Sequence, residues 1–144
     1  MKKTDDFLIN RIKWKADSYH LPTKSSFYFK DLNSDLQLDL KAFVDQTNSG
    51  PPILFFTKPT KEWTLICTRQ VIFNDNLTTT HIDISDIDSM IATGWGTENH
   101  DKNKLHQLTV TDKKSNQYIL HADKGTDLFA LWNILLMMKR ILTD

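Results

Sequence analysis

Cysteine is almost missing from this chain. Cys67 is the only one in 144 residues, which excludes an internal disulfide and any CxxC metal or redox motif and fits a reducing compartment, with the cytoplasm as the expected location. Glycine is nearly as scarce, at four, and no glycine-rich phosphate loop is found among them. A charge of one sign is lacking as well. The 18 basic residues offset 18 acidic ones and the sequence pI is about 7.0, so no global field draws the molecule to nucleic acid or to an anionic membrane. Long hydrophobic runs are absent too. The longest, Leu128 to Met138, is interrupted by Asn133 and falls far short of the roughly 20 residues that cross a bilayer. Asp5 and Asp6 interrupt the N-terminus before the apolar stretch of a signal peptide can accumulate. The expectation is a soluble protein with enough chain for one core.

What is present divides at "QTNSGPP", the densest cluster of breakers, around Asn48 to Pro52. Residues 1–50 read as a helical N-terminal extension packed on the remainder. Thr4 is a plausible cap for a helix reaching about Lys15, with Leu8 and Ile12 inward. "SDLQLDLKAFV" begins with Ser34 three residues before Gln37, a capping box, and Leu36, Leu40, Phe43 and Val44 form one apolar face. The stretch between, "SYHLPTKSSFYFKDLN", has no clear period and reads as loop.

Residues 51–144 change character. "ILFFT", "WTLIC", "QVIFN", "THIDISDI" and "SMIATGW" are successive strand candidates. "GTENHDKNK" reads as an exposed connection, and "LHQLTVTDKKSNQYILHAD" as a hairpin. A turn centred on Lys114 and Ser115 sets Val110 opposite Ile119 and Leu108 opposite His121. From Thr126 or Asp127 a helix carries Leu128, Leu131, Trp132, Leu135, Met138 and Leu142 in one stripe. Phe129, Ile134 and Leu136 widen that stripe beyond what one sheet needs, which implies a second surface packed on the helix, either the N-terminal helix or another protein.

The strand series followed by one amphipathic helix predicts an α+β, mainly β fold: a partly open antiparallel barrel closed by a C-terminal helix, with a helical N-terminal extension. Ile53 to Leu142 resembles the pleckstrin-homology (PH) superfold, in particular the bacterial PH-like and GRAM-like domains. The resemblance is carried by "WTLICTRQVIF", by "IDISDIDSM", and by "LTVTDKKSNQYIL" leading into a helix that bears Trp132. It implies a non-enzymatic binding or adaptor module that engages a protein partner; no cofactor or metal is expected, and the balanced charge argues against nucleic acid. PH-type domains place a tryptophan in that helix across the barrel mouth. Lipid-binding members use a basic pocket in the loop between the first two strands. Here that loop is "TKPTKEW", giving Lys58 and Lys61, with Arg69 at the next turn, although the alternating basic pair is missing and Glu62 intrudes. These three cations define the alternative function, a peripheral membrane module that binds anionic lipid head groups. The Lys, Asn, Asp and Ile content looks bacterial, which makes a phosphoinositide ligand less available.

Several side chains need weighing for chemistry. The hairpin register above brings His106 opposite Asp123 and diagonal to His121, a two-histidine, one-carboxylate arrangement whose simpler meaning is a polar sheet end. His81 and His100 fall in loops. Cys67 shares an apolar alternation with Trp63 and Leu65 and suits a buried small hydrophobe better than a nucleophile. Asp83, Asp86 and Asp88 fit the wet side of a half-buried sheet. Thr68-Arg69-Gln70 reads as a hairpin turn with Arg69 exposed. Trp95, between two glycines, either folds back on the sheet or projects as a binding anchor. The expected partner-binding residues are Trp95, Phe129 and Leu136.

Overall fold

The computed structural model describes residues 3–45, 48–95 and 105–143. Thr4 caps helix α1 (Asp5–Ser18), its Oγ1 accepting the Phe7 N–H at 3.2 Å, and Asp5 and Asp6 occupy the first turn, where anions suit the helix dipole. Leu8, Ile12 and Ala16 recur every four residues and are fully buried. They place α1 against the last helix, α3 (Thr126–Thr143). The segment expected as loop contains strand β1 (Ser26–Tyr28) and a short 3-10 turn at Phe29–Asp31. A three-residue strand is too short to show alternation, so its pairing with the next strand had no local signature. Helix α2 (Ser34–Lys41) is capped by Asn33, whose side chain accepts the Leu36 N–H at 2.8 Å, and not by Ser34. Gln37 turns its amide back to the carbonyls of Phe29 and Leu32 instead of closing a capping box.

The rest of the chain forms two antiparallel sheets. Strands β2 (Pro52–Thr57), β3 (Trp63–Cys67), β4 (Gln70–Asn74) and β5 (Thr79–Asp83) follow β1 in chain order across a five-stranded sheet. Strands β6 (Ile87–Ala92), β7 (Gln107–Asp112) and β8 (Gln117–His121) make a three-stranded one. The two sheets are not closed into a barrel, contrary to the barrel expected. A 3-10 turn at Ile84–Asp86 with Ile84 buried ends the β5 ladder, and the chain starts β6 in the second sheet. Helix α3 packs over this turn and over β6 and β7.

The five-stranded sheet is covered on both faces. Leu54, Phe56, Ile66, Val71 and Phe73 join α1, α3 and the three-stranded sheet in the main core. Phe55, Leu65, Cys67 and Ile72, of the other parity, form a second core with Phe29 and Leu40 beneath α2. Since successive side chains point to opposite faces, burying both parities explains runs such as "ILFF" and "VIF" that do not alternate.

The β7–β8 register differs by one residue from that expected. Gln107 lies opposite His121, Leu108 opposite Leu120 and Val110 opposite Tyr118. Its cause is the turn: Asp112 accepts the N–H groups of Lys114 and Asn116 on its carboxylate, and Ser115 takes φ +70°. The loop is thus three residues long with its last in the left-handed region. One residue of slip exchanges the faces of a strand, so Leu120 rather than Ile119 joins Leu108 and Val110 at zero exposure.

Polar contacts fasten the N-terminal region to the start of α3. Thr23 Oγ1 lies 2.8 Å from both carboxylate oxygens of Asp127, and Ser25 Oγ donates to Asp123 at 2.7 Å. Burial raises the Asp127 carboxyl above its ordinary range, against the lowering effect of the Thr23 hydroxyl. No helix among the described residues is long and apolar enough to cross a membrane. The expected connection Gly96–Lys104, with His100, lies outside the described residues.

Candidate functional site

Helix α3 buries Leu128, Ala130, Leu131, Ile134, Leu135 and Met138, which leaves Phe129, Trp132 and Leu136 along one outer edge at helical spacing. Trp95 follows β6 in a turn closed by its N–H to the Ala92 carbonyl at 2.9 Å. Its ring meets Phe129 and Trp132 edge-on at centroid distances of 5.9 and 5.7 Å, and Phe129 stacks on Trp132 at 6.2 Å. Offset and edge-on geometries are those preferred by aromatic quadrupoles. Trp95 therefore folds back on the helix and still keeps 40 % of its surface exposed. Leu136, one turn beyond Trp132, is 39 % exposed. All three expected partner-binding residues thus lie along one end and edge of α3. Trp132, read from the sequence as part of the buried stripe, joins them. Its indole N–H is buried with no hydrogen-bond partner among the described residues.

The tip of the β2–β3 hairpin holds a different constellation. Lys58 is 8 % exposed. Its Nζ lies 2.8 Å from His106 Nδ1, 2.9 Å from His121 Nδ1 and 3.3 Å from Glu62 Oε2. An ammonium has three donors and no acceptor, so both Nδ1 atoms accept and each imidazole keeps its proton on Nε2. Burial first, and the Lys58 charge second, push both histidines below their usual range. Glu62 is lowered to about 2, foremost by the Thr60 hydroxyl, with its own backbone N–H and Lys58 adding to it. Thr64 completes the support: its Oγ1 donates to the His121 carbonyl at 2.6 Å and accepts the His121 N–H at 3.2 Å. This stitches the two sheets together.

The two histidines do converge, yet the point between them is filled by Lys58, and Asp123 is turned to the Ser25 hydroxyl. No group of three or more His, Cys, Asp or Glu able to hold a metal occurs among the described residues. A pocket of about 350 Å³ opens beside this cluster, lined by Lys58, Glu62, His106, Asp123 and Lys124 among others.

The cations of the lipid alternative do not converge. Lys58 is buried in the histidine cluster, whereas Lys61 is exposed at φ +78° on the hairpin tip. Arg69 lies past the far end of β3, whose five residues span about 17 Å. Nor is Arg69 the exposed turn residue anticipated. Its Nη2 donates to the Lys3 carbonyl at 2.7 Å and sits 3.6 Å from Asp5 Oδ1. Thr68 donates to the same carboxylate, and the Arg69 N–H reaches the Ser49 carbonyl. The turn is a junction for the α1 N-terminus and the segment before β2. Gly50 fits there at φ +70° only because it has no side chain, since a Cβ would lie 1.9 Å from Thr68 Oγ1.

The remaining residues are structural or distant. Burial pushes the Cys67 thiol up to about 12. His81 is on β5, not in a loop, with Nε2 at 2.6 Å from the Phe43 carbonyl. Asp83 accepts from Gln70 at 2.6 Å. Comparison of the chain with family models, with curated proteins and with solved structures finds no match.

Proposed function

We propose that the protein is a non-enzymatic binding module of PH-like architecture that engages a protein partner through the surface formed by Trp95, Phe129 and Leu136. Seven antiparallel strands after Pro52 followed by one helix bearing Trp132 support the architectural part. The observation that carries the function is the aromatic cluster of Trp95, Phe129 and Trp132, continued by Leu136 along α3 and open to solvent. Contiguous exposed apolar surface rich in tryptophan is the composition of interface hot spots. A non-catalytic role is supported by the groups with chemical potential being already engaged: Cys67 is a buried thiol, and Lys58, Glu62 and the two histidines satisfy one another.

The test uses the native chain and two variants, Trp95→Ala and Leu136→Glu, as baits in an extract of the source cells. A protein retained by the native bait should be retained about 30-fold more weakly by Trp95→Ala, the equivalent of a 2 kcal/mol hot spot, with the thermal transition of the bait little changed. Equal retention by all three baits, or no retention by the native chain, refutes the proposal.

A further inference from the structure

Beyond the aromatic surface, the opposite end of α3 borders a groove of about 510 Å³ against α1. On α1, Phe7, Arg11 and Trp14 follow one helical face turned away from Leu8, Ile12 and Ala16, and Lys3, just before the helix, continues it. Lys15 lies on the flank nearest α3, which contributes Arg140 above an apolar floor of Met137 and Ile141. The exposed rings carry cations: Arg11 lies 4.5 Å and Lys15 5.8 Å from the centre of Trp14, and Lys3 lies 5.6 Å from that of Phe7. Trp14 is 56 % exposed and Phe7 40 %.

Two features define what fits. Charge is the first. Among the described residues, Lys3, Arg11, Lys15 and Arg140 line the groove, no acidic residue does, and none of the four has an ion-pair partner. In a chain of zero formal net charge this is a local excess of four cations, which draws in carboxylates and sets the register of a docked chain. The second is shape. A concave slot with an apolar floor and cation-flanked aromatic walls takes an apolar side chain while its rim takes the charges. Asp6, Asp17 and Asn10 lie on the other flank of α1, beside Trp14, and all are exposed. A planar anionic bilayer touching Trp14 would be pressed against Asp6 and Asp17, whereas a single narrow segment lying in the groove avoids them.

We propose that the α1–α3 groove is a docking site for an acidic protein segment bearing an apolar anchor, with carboxylates on Arg11, Lys15 and Arg140 and the anchor between Trp14 and Ile141. The site is separate from the Trp95 surface, so either can fail alone.

Four probes test it on the full chain: a labelled peptide alternating glutamate with leucine, its lysine–leucine counterpart, phosphatidylcholine vesicles containing phosphatidylserine, and oligothymidylate. Fluorescence anisotropy should show the glutamate–leucine peptide binding, with affinity falling as salt rises, and the lysine–leucine peptide not binding. The double variant Arg11→Glu/Arg140→Glu should weaken binding about tenfold or more, and so should Trp14→Ala by removing the wall of the anchor site. Circular dichroism should be unchanged in both, because these side chains are on the surface. Leu136→Glu, on the other surface, should bind the peptide like the native chain. The assignment is overturned if the acidic peptide does not bind at low salt, or if its binding survives the charge reversal. Preference for the vesicles or the oligonucleotide over the peptide overturns it equally, as it would make the occupant a lipid surface or a nucleic acid.

Discussion

Replacing Lys58 by methionine keeps most of the apolar stem of the side chain and removes the ammonium, with its charge and its three donors. The ammonium sits 2.8 and 2.9 Å from two imidazole acceptors and 3.3 Å from the Glu62 carboxylate. Their losses are unequal. His106, the more exposed of the two imidazoles, can turn its Nδ1 to water, and Glu62 is partly solvated. His121 is 6 % exposed, so its Nδ1 is left without a donor, at a cost of about 1–3 kcal/mol for a buried unsatisfied group. Losing the ion pair adds to this, and relief of the buried ammonium's desolvation subtracts. Near pH 7.5 the net destabilisation should be about 2 kcal/mol.

The pH dependence is the sharper part of this prediction. In the native protein both histidines are held below their unfolded value of 6.5, so the unfolded chain binds more protons as pH falls through 6.5 and stability drops across that window. Lys58→Met removes the repelling charge and leaves His121 Nδ1 3.7 Å from Glu62, where protonation is favoured. The variant should therefore lose less stability on acidification, and its deficit should narrow between about pH 7.5 and pH 5.5. Glu62, whose lowered value leaves it ionised throughout this range, contributes no slope there. Urea titrations of both proteins at the two pH values measure the difference. A deficit of the same size at both refutes the claim that Lys58 holds the histidines neutral.

Gly50→Ala should destabilise by more than about 2 kcal/mol, combining a left-handed backbone with the clash on Thr68. Adding Thr68→Ala should recover part of that cost, which a double-mutant cycle by denaturant titration would show; strict additivity would count against the close approach. Arg69→Ala should cost about 1–2 kcal/mol rather than the few tenths usual for a surface change, because it frees the α1 N-terminus from the sheet; a melting temperature equal to the native one would contradict this. Leu65→Asp should abolish cooperative folding, since Leu65 is fully buried in the core under α2; a native-like near-ultraviolet circular dichroism spectrum would exclude that placement.

The elements legible in the sequence are those whose signal is local. Thr4 as a cap, the strands from Pro52 onward and α3 all follow from periodicity and breakers. Asn33 in place of Ser34 and the one-residue shift of β7–β8 turn on which side chain closes a turn, a choice between near-equivalent neighbours. Helical spacing left Phe129 and Leu136 beyond the face a sheet needs, whereas the packing of Trp95 on Phe129 and Trp132 joins the end of β6 to α3 and is written in no single segment. The Lys58 cluster was not legible either. Lys58, His106 and His121 come from the two different sheets, and nothing in any one segment reports how those sheets stack. Lys58 accordingly read as a loop cation available to lipid head groups, and its burial is a property of the packing alone.

The contact of α1 with α3 also has a bearing on synthesis. Leu8, Ile12 and Ala16 are made roughly a hundred residues before the helix that covers them. At about 5–20 residues per second, a ribosome takes on the order of 5–20 s to supply that cover. During this interval the nascent α1 lacks the helix it packs against, and the β1 edge strand likewise waits for β2. The native burial of the α1 stripe is thus completed only after α3 has been made, late in synthesis.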